Sequence, residues 1–196
     1  MDRVTNVKLV GVGGQGILLA TTLLAEAVLR AGHDVKTSEV HGMAQRGGSV
    51  FSDVRFGPRV YSPLIPEGAA DILVGFEKLE AARYIGSLKP GGVAVVNDQV
   101  ILPLAVTRGQ AECPPDLAAR LRQRAGEVEI LDALGLAKQA GSPRAANTVL
   151  LGALSRHLDL PPAVWAEALR ERLGAKLLEV NLRAFELGRQ AGASTG

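Results

Sequence analysis

The sequence predicts an α/β fold: a three-layer domain with a mixed, mainly parallel sheet and a helical C-terminal third. Three observations carry this. Short apolar runs alternate with helix-period segments over the first two-thirds of the chain. A glycine-rich turn joins the first run to the first helix. The last third holds helix patterns and no strand pattern. Alternation of strand and helix builds parallel βαβ units. A glycine turn between the first strand and helix makes the domain Rossmann-like.

The first run, Val7-Lys8-Leu9-Val10, stops at Gly11 and leads through Gly13, Gly14, Gln15 and Gly16 into Ile17-Leu18-Leu19-Ala20. The spacing Gly11-x-Gly13-x-x-Gly16 fits the dinucleotide fingerprint. A strand, a glycine turn and a helix N-terminus bring unpaired backbone N–H groups and the positive end of a helix dipole to one point. The same glycines also serve a tight turn and close packing. The first helix is expected from Gly14 or Gln15 to about Arg30, apolar over much of its circumference, with Gly32 as its stop. Asp34 to Val40 reads as the second strand.

The pattern then changes. Glu39-Val40-His41-Gly42-Met43-Ala44-Gln45-Arg46-Gly47-Gly48-Ser49 is polar and aperiodic. Val50 to Phe56 follows with strand alternation, then a Gly57-Pro58 turn and a return strand at Arg59–Ser62. This antiparallel insertion makes the sheet mixed. Further strands are expected at Asp71–Phe76, Val93–Asp98 and Val128–Asp132. Helices are expected at Glu77–Leu88, ended by Lys89-Pro90-Gly91-Gly92, and at Leu117–Gln123 and Ala133–Ala140. Arg120, Arg122 and Arg124 on one short helix read as a solvated face. Asn97 and Asp98, at a strand's C-terminal end, either face a ligand crevice or begin a turn.

Three helices close the chain: Asn147–His157, capped by Asn147 or Thr148; one begun by Pro161-Pro162 and burying Trp165; and Ala175 to about Gln190. Asn181 sits in the middle of the last one and needs a partner there. Residues 1–190 read as one domain and 191–196 as a flexible tail.

Composition narrows the function. With 196 residues the chain makes one domain with a full core. A net charge of +2 argues for neither nucleic acid nor a membrane surface. The N-terminus lacks a signal-peptide pattern and no apolar run approaches the roughly 20 residues of a membrane span, so the protein is expected to be cytoplasmic. A lone cysteine, Cys113, cannot hold an iron–sulfur cluster or a cysteine-based zinc site. His33, His41 and His157 are scattered, and Glu39-x-His41 gives two ligands without a third, so no metal is expected. No nucleophile elbow or Walker lysine appears, and no catalytic residue is assigned.

What remains is a pair of loops, Gly11–Gly16 and Glu39–Ser49, both at strand C-terminal ends and so on one rim of an open sheet. Two mechanisms fit. The rim takes a dinucleotide, with pyrophosphate at the first helix and a ribose hydroxyl on Glu39. Alternatively it is a docking and ligand surface that completes a site built mainly by another subunit. The antiparallel insertion favours the second.

The residues Val10-Gly11-Val12-Gly13-Gly14-Gln15-Gly16 and Glu39 to Val50 resemble the gamma-type domain of the 2-oxoacid:ferredoxin oxidoreductases. The version His41-Gly42-Met43-Ala44-Gln45-Arg46-Gly47-Gly48 is most similar to the beta subunit of the indolepyruvate members. The likeness covers nearly the whole chain, including Asp71–Glu77, Gly91-Gly92, Asn147-Thr148 with Gly152, and Asn181 with Ala184-Phe185. It implies a subunit active only with a large alpha subunit, which carries thiamine diphosphate and iron–sulfur clusters. Together they convert an aryl pyruvate and coenzyme A to acyl-CoA, carbon dioxide and reduced ferredoxin. No cofactor is expected firmly on this chain; coenzyme A is the candidate for Gly11, Gly13, Gly14, Gln15 and Gly16. Glu39, His41, Gly42, Met43, Gln45, Arg46, Gly47, Gly48 and Ser49 would form an active-site and interface loop. In it Arg46 is the anion contact, and His41 and Gln45 are hydrogen-bonding groups. A chain without its partner is expected to be able to form a homodimer. A stand-alone NAD oxidoreductase using Gly11, Gly13, Gly16 and Glu39, and a purely structural subunit, are the alternatives.

Overall fold

A computed structural model describes residues 3–41 and 48–191, with His41 described in its backbone alone. Among these residues six strands form one sheet in the order β2-β3-β1-β4-β5-β6. The strands are β1 (Thr5–Val12), β2 (Asp34–His41), β3 (Ser49–Gly57), β4 (Ala70–Gly75), β5 (Leu88–Asn97) and β6 (Glu127–Leu131). Only β3 runs against the others: it pairs antiparallel with β1 on one side and β2 on the other. β1, β4, β5 and β6 pair in parallel. The mixed, mainly parallel sheet is as the sequence predicts. The antiparallel partner is not. Arg59–Ser62 forms no strand, and β3 pairs instead with two strands that precede it.

The helices are α1 (Ile17–Arg30), α2 (Lys78–Tyr84), α3 (Leu104–Thr107), α4 (Leu117–Arg124), α5 (Ala133–Ala140), α6 (Ala146–Ser155), α7 (Pro162–Arg172) and α8 (Ala175–Ala191). Ala191, assigned above to the tail, is thus the last residue of α8. Residues 192–196 lie outside the described residues. Strand alternation divides the core between the two sheet faces. Val7 and Leu9 of β1, Ile72 and Val74 of β4, and Val95 of β5 join the larger cluster with α1 and α5 to α8. Val10, Leu73, Ala94 and Val96 face the other way, with Ala81 of α2 and Leu121 of α4. This gives three layers. β1 lies between β3 and β4 and, from Val7 to Val12, is apolar on both faces apart from Lys8. β2 is an edge strand and is correspondingly polar and exposed.

Lys8 is 6% exposed and its ammonium lies 2.5 Å from Asp53 Oδ1 on β3, its cross-strand partner. The Phe51 ring centroid is 4.4 Å from the same nitrogen, and Asp53 Oδ2 accepts the Ile65 N–H. A buried charge is tolerable only when paired and hydrogen-bonded in this way. The pair also fixes which residues of β1 and β3 face each other, since a one-residue slip would turn each charge to the opposite face.

Two helix boundaries differ from the sequence expectation, because periodicity does not reveal which polar side chains cap a helix and which are buried inside one. Glu77 is not the first helical residue but the N-cap of α2. It accepts from Leu79 N at 3.0 Å and from Glu80 N. The helix ends at Tyr84, one short 3₁₀ turn follows, and Leu88 already begins β5. Lys89-Pro90-Gly91-Gly92 is therefore strand, not helix terminator. The register between β4 and β5 shifts there, between Ala70 and Ile72, so the proline sits where the ladder is already interrupted. At α6 the N-cap is Ala145 with no side-chain cap; Asn147 and Thr148 lie within the helix and are buried.

Candidate functional site

α1 begins at the C-terminal end of β1 because Gly14 and Gly16 adopt φ of 103° and 82°, left-handed values that reverse the chain without a Cβ penalty. Gly11 does something else. It lies in β1, and a Cβ there would come within 2.6 Å of Gln15 Oε1 and 2.7 Å of Phe76 Cβ. Its role is to let Gln15 fold back. The Gln15 amide accepts from Val12 N at 2.8 Å and donates to Phe76 O at 3.0 Å, bracing the turn against the end of β4. Gly13 N donates to Gly48 O at 2.9 Å, so the turn also touches the strand that enters from the second loop. The N–H groups of Ile17, Leu18 and Leu19 have no acceptor among the described residues, and α1 has no side-chain cap and no acid in its first turn. These are the unpaired donors expected of a helix start.

Beside this turn is an open cleft of about 490 Å³ along the C-terminal ends of β1, β4 and β5, lined by Gly14, Gly16, Phe76, Asn97, Gln99, Arg144 and Asn147. It lies where the chain reverses its direction of strand addition, from β2 and β3 on one side of β1 to β4 on the other. Open α/β sheets bind ligands at such a point. Asn97 reaches this crevice, as one of its two readings allowed. Its amide is engaged on both sides, donating to Phe76 O at 3.1 Å and accepting from Ala133 N at 3.1 Å, so it shapes the wall. Asp98 pairs with Lys78. Arg144 was not singled out by sequence reading. Its exposed guanidinium forms no ion pair among the described residues. The one signal for it is a cation just before a helix N-terminus, where the dipole disfavours positive charge.

Of the second loop, Gly42, Met43, Gln45, Arg46 and Gly47 lie outside the described residues. Glu39 is exposed on β2 opposite Ser52. Because β3 intervenes, β2 stands two strand spacings, roughly 10 Å, from β1. The structure therefore does not bring Glu39 to the glycine turn. Ser49 donates its hydroxyl to the Glu80 carboxylate and lies 3.3 Å from Tyr84 Oη, fastening the start of β3 to α2. Gly48 meets Gly13 as described. On the far side of the turn, Val12, Ile17, Leu18 and Val50 line a hollow of about 370 Å³, and Leu18 is 41% exposed beside it.

Glu77 anchors the rim from below. It is fully buried, and besides capping α2 it accepts from Ile101 N at 3.1 Å, tying down the segment that leaves β5. Burial raises its pKa above the usual 4.5, and Glu80 nearby adds to that, against the lowering effect of three backbone donors. The folded protein thus holds a proton at Glu77 that the unfolded chain has released, and stability falls as pH rises from about 4.5 through the raised value. Comparing urea midpoints of the parent and Glu77→Gln across that range should show the parent losing ground with rising pH. A constant difference would exclude this titration.

Residues 6–191 match the family Pyruvate ferredoxin/flavodoxin oxidoreductase. The chain is 44% identical over 191 residues to the indolepyruvate oxidoreductase subunit IorB of Thermococcus kodakarensis, with 95% of each covered. Its fold matches the gamma subunit of a keto/oxoacid ferredoxin oxidoreductase from Geobacter sulfurreducens, with a TM-score of 0.76, 23% identity and 98% of both chains covered. It also matches a 2-oxoglutarate:ferredoxin oxidoreductase from Magnetococcus marinus with 2-oxoglutarate, coenzyme A and succinyl-CoA bound. There the TM-score is 0.78 and the identity 22%, over all of this chain and 32% of that one. The chain belongs to the pyruvate ferredoxin/flavodoxin oxidoreductase family. Its function is that of a small subunit of an indolepyruvate:ferredoxin oxidoreductase, an oxidoreductase complex. The stand-alone NAD reading is not favoured, in keeping with the separation of Glu39 from the glycine turn.

Proposed function

We propose that this chain supplies the coenzyme A-binding rim of the complex. The observation that carries the reading is the open cleft that Gly14, Gly16 and Leu19, at the uncapped start of α1, share with the unpaired Arg144. A diphosphate ester suits both: the amides and the helix dipole accept its charge and the guanidinium offers a planar fork. The Magnetococcus marinus enzyme of like fold binds coenzyme A, which is consistent with this choice. Gly14 and Gly16 would line the ligand, Gly11 and Gln15 would hold the turn in shape, and Gly13 would join it to the second loop.

In this reading a large alpha subunit would carry thiamine diphosphate, which would supply the decarboxylation chemistry, and iron–sulfur clusters, which would supply electron transfer to ferredoxin. The lone Cys113 of this chain fits that division of labour. The substrate is an aryl 2-oxoacid. The loop from His41 to Ser49 packs against the alpha subunit, with Arg46 as an anion contact and His41 and Gln45 as hydrogen-bonding groups. The hollow beside Leu18, together with Val40 at 43% exposure, gives that subunit apolar surface to cover. The same surface would support a homodimer of the isolated chain. Residues 1–190 act as one domain. No helix among the described residues is long and apolar enough to cross a membrane, and we place the complex in the cytoplasm.

Calorimetric titration of coenzyme A into the purified chain and into its complex with the alpha subunit tests the reading. Saturable heat from the complex, reduced by Arg144→Glu, is expected; silence in both titrations would overturn it.

A further inference from the structure

α6 and α8 touch backbone to backbone. A Cβ on Gly152 would lie 2.0 Å from Phe185 O, and one on Gly188 would lie 2.0 Å from Val149 O. Contacts this close leave the two helices one register. In that register the Thr148 hydroxyl, fully buried, donates to Asn181 Oδ1 at 2.6 Å, and Asn181 Nδ2 donates to Leu177 O at 2.8 Å. The bond fixes the rotation of α6 about its axis. Asn147, the preceding residue, then points to the glycine turn. Its Nδ2 donates to Gly16 O at 3.3 Å and its Oδ1 accepts from Thr148 N at 2.9 Å. The fit is close, since a Cβ on Gly16 would come 2.7 Å from Asn147 Nδ2.

The neighbours of these three polar groups are apolar: Val149, Leu150, Leu151 and Phe185 are all buried. Apolar side chains would pack the same space at lower desolvation cost. What the polar set adds is direction. Gly16 O is also the acceptor for Ala20 N, the first hydrogen bond of α1.

We propose that Asn147 is a positioning residue for the glycine turn, aimed by the Thr148–Asn181 bond, so that α8 sets the geometry of a cleft it does not line. For ligand affinity this rests on the coenzyme A reading above. The turn geometry itself does not.

The test uses the complex with the alpha subunit for kinetics and the full chain for amide exchange. Asn147→Leu keeps the approximate size of the side chain and adds no charge to the cleft, but it cannot donate to Gly16 O. It should raise KM for coenzyme A about tenfold, while kcat and the KM for the 2-oxoacid stay within about twofold. Thr148→Val should raise the same KM several-fold, and Thr148→Ser should restore it. In both Asn147→Leu and Thr148→Val the Ala20 amide should exchange about tenfold faster, with the rest of α1 unchanged. Equal losses in both KM values and in kcat, or failure of the serine to rescue, would reduce the set to a structural role. If Gly14→Val leaves KM for coenzyme A untouched, the coenzyme A reading fails, and the Ala20 exchange rate alone decides the positioning. An unchanged rate overturns the inference.

Discussion

Gly188→Ala should remove a large share of the folding stability of this chain. The added Cβ would sit 2.0 Å from Val149 O, 2.8 Å from its carbonyl carbon and 3.0 Å from its Cα. All three are backbone atoms of a helix buried from Asn147 to Ser155, so no side chain can swing aside. The helices must part, and the contacts of Val149, Phe185 and the Thr148–Asn181 bond loosen together. Overpacking that a side chain can relieve costs about 1–3 kcal/mol. Backbone overlap of this kind belongs to the exceptional class above about 4 kcal/mol, a large share of the roughly 5–15 kcal/mol that holds a typical domain together. Urea denaturation followed by circular dichroism reads it directly. Gly174→Ala is the control, because a Cβ there meets nothing within 4 Å; it should cost about 1 kcal/mol or less. Similar midpoints for the two variants would mean that α6 and α8 separate easily.

That contact also marks the limit of what the sequence discloses. Gly188 lies inside a helix that periodicity predicts without difficulty, and glycine there costs about 1 kcal/mol against alanine for the isolated helix. The reason for it is Val149, on another helix far away in sequence. Asn181 is a parallel case. Its mid-helix position says that it needs a partner, and that much is legible; that the partner is Thr148 is not. Asn147 and Thr148 read as caps because amides and hydroxyls at the start of an apolar run usually are caps. The structure uses them within the helix, toward Gly16 and Asn181.

The strand–turn–helix at Gly11–Gly16 was legible because every feature in it is local. The antiparallel β3 was legible as a strand but not in its pairing. Alternation shows two faces, while neighbours are chosen by strands elsewhere in the chain. The Gly57-Pro58 turn suggested a hairpin to Arg59–Ser62, yet a competing edge was already available between β1 and β2. That single insertion has a functional consequence. It moves the acid at the end of β2 away from the glycine turn, and so separates this rim from the dinucleotide site that the fingerprint alone would suggest. Arg144 escaped notice because its one signal, a cation just before a helix start, is weak on its own; the cleft gives it meaning.

Gly16→Ala should leave the chain folded and lower kcat/KM for coenzyme A in the complex about a hundredfold. Two effects act at one position. The residue has φ of 82°, which costs an L-residue roughly 1–2 kcal/mol. The new Cβ would also press on Asn147 Nδ2 at 2.7 Å, pushing aside the side chain that holds Gly16 O. The turn can relieve both by shifting its peptide planes, and it is free to do so on the cleft side. The outcome is a displaced set of amides rather than an unfolded domain. A displacement near 1 Å in groups that position a reactant is worth about two orders of magnitude in rate. Gly32→Ala separates the two effects. Gly32 has the same φ of 82° at the far end of α1, with nothing within 4 Å of its Cβ position, so it carries the strain without the contact and away from the cleft. Its melting temperature should fall about as far as that of Gly16→Ala, with coenzyme A kinetics unchanged. If both variants lose the same stability and neither alters kcat/KM, the glycine turn serves the fold alone, and the ligand must be held by other parts of the complex.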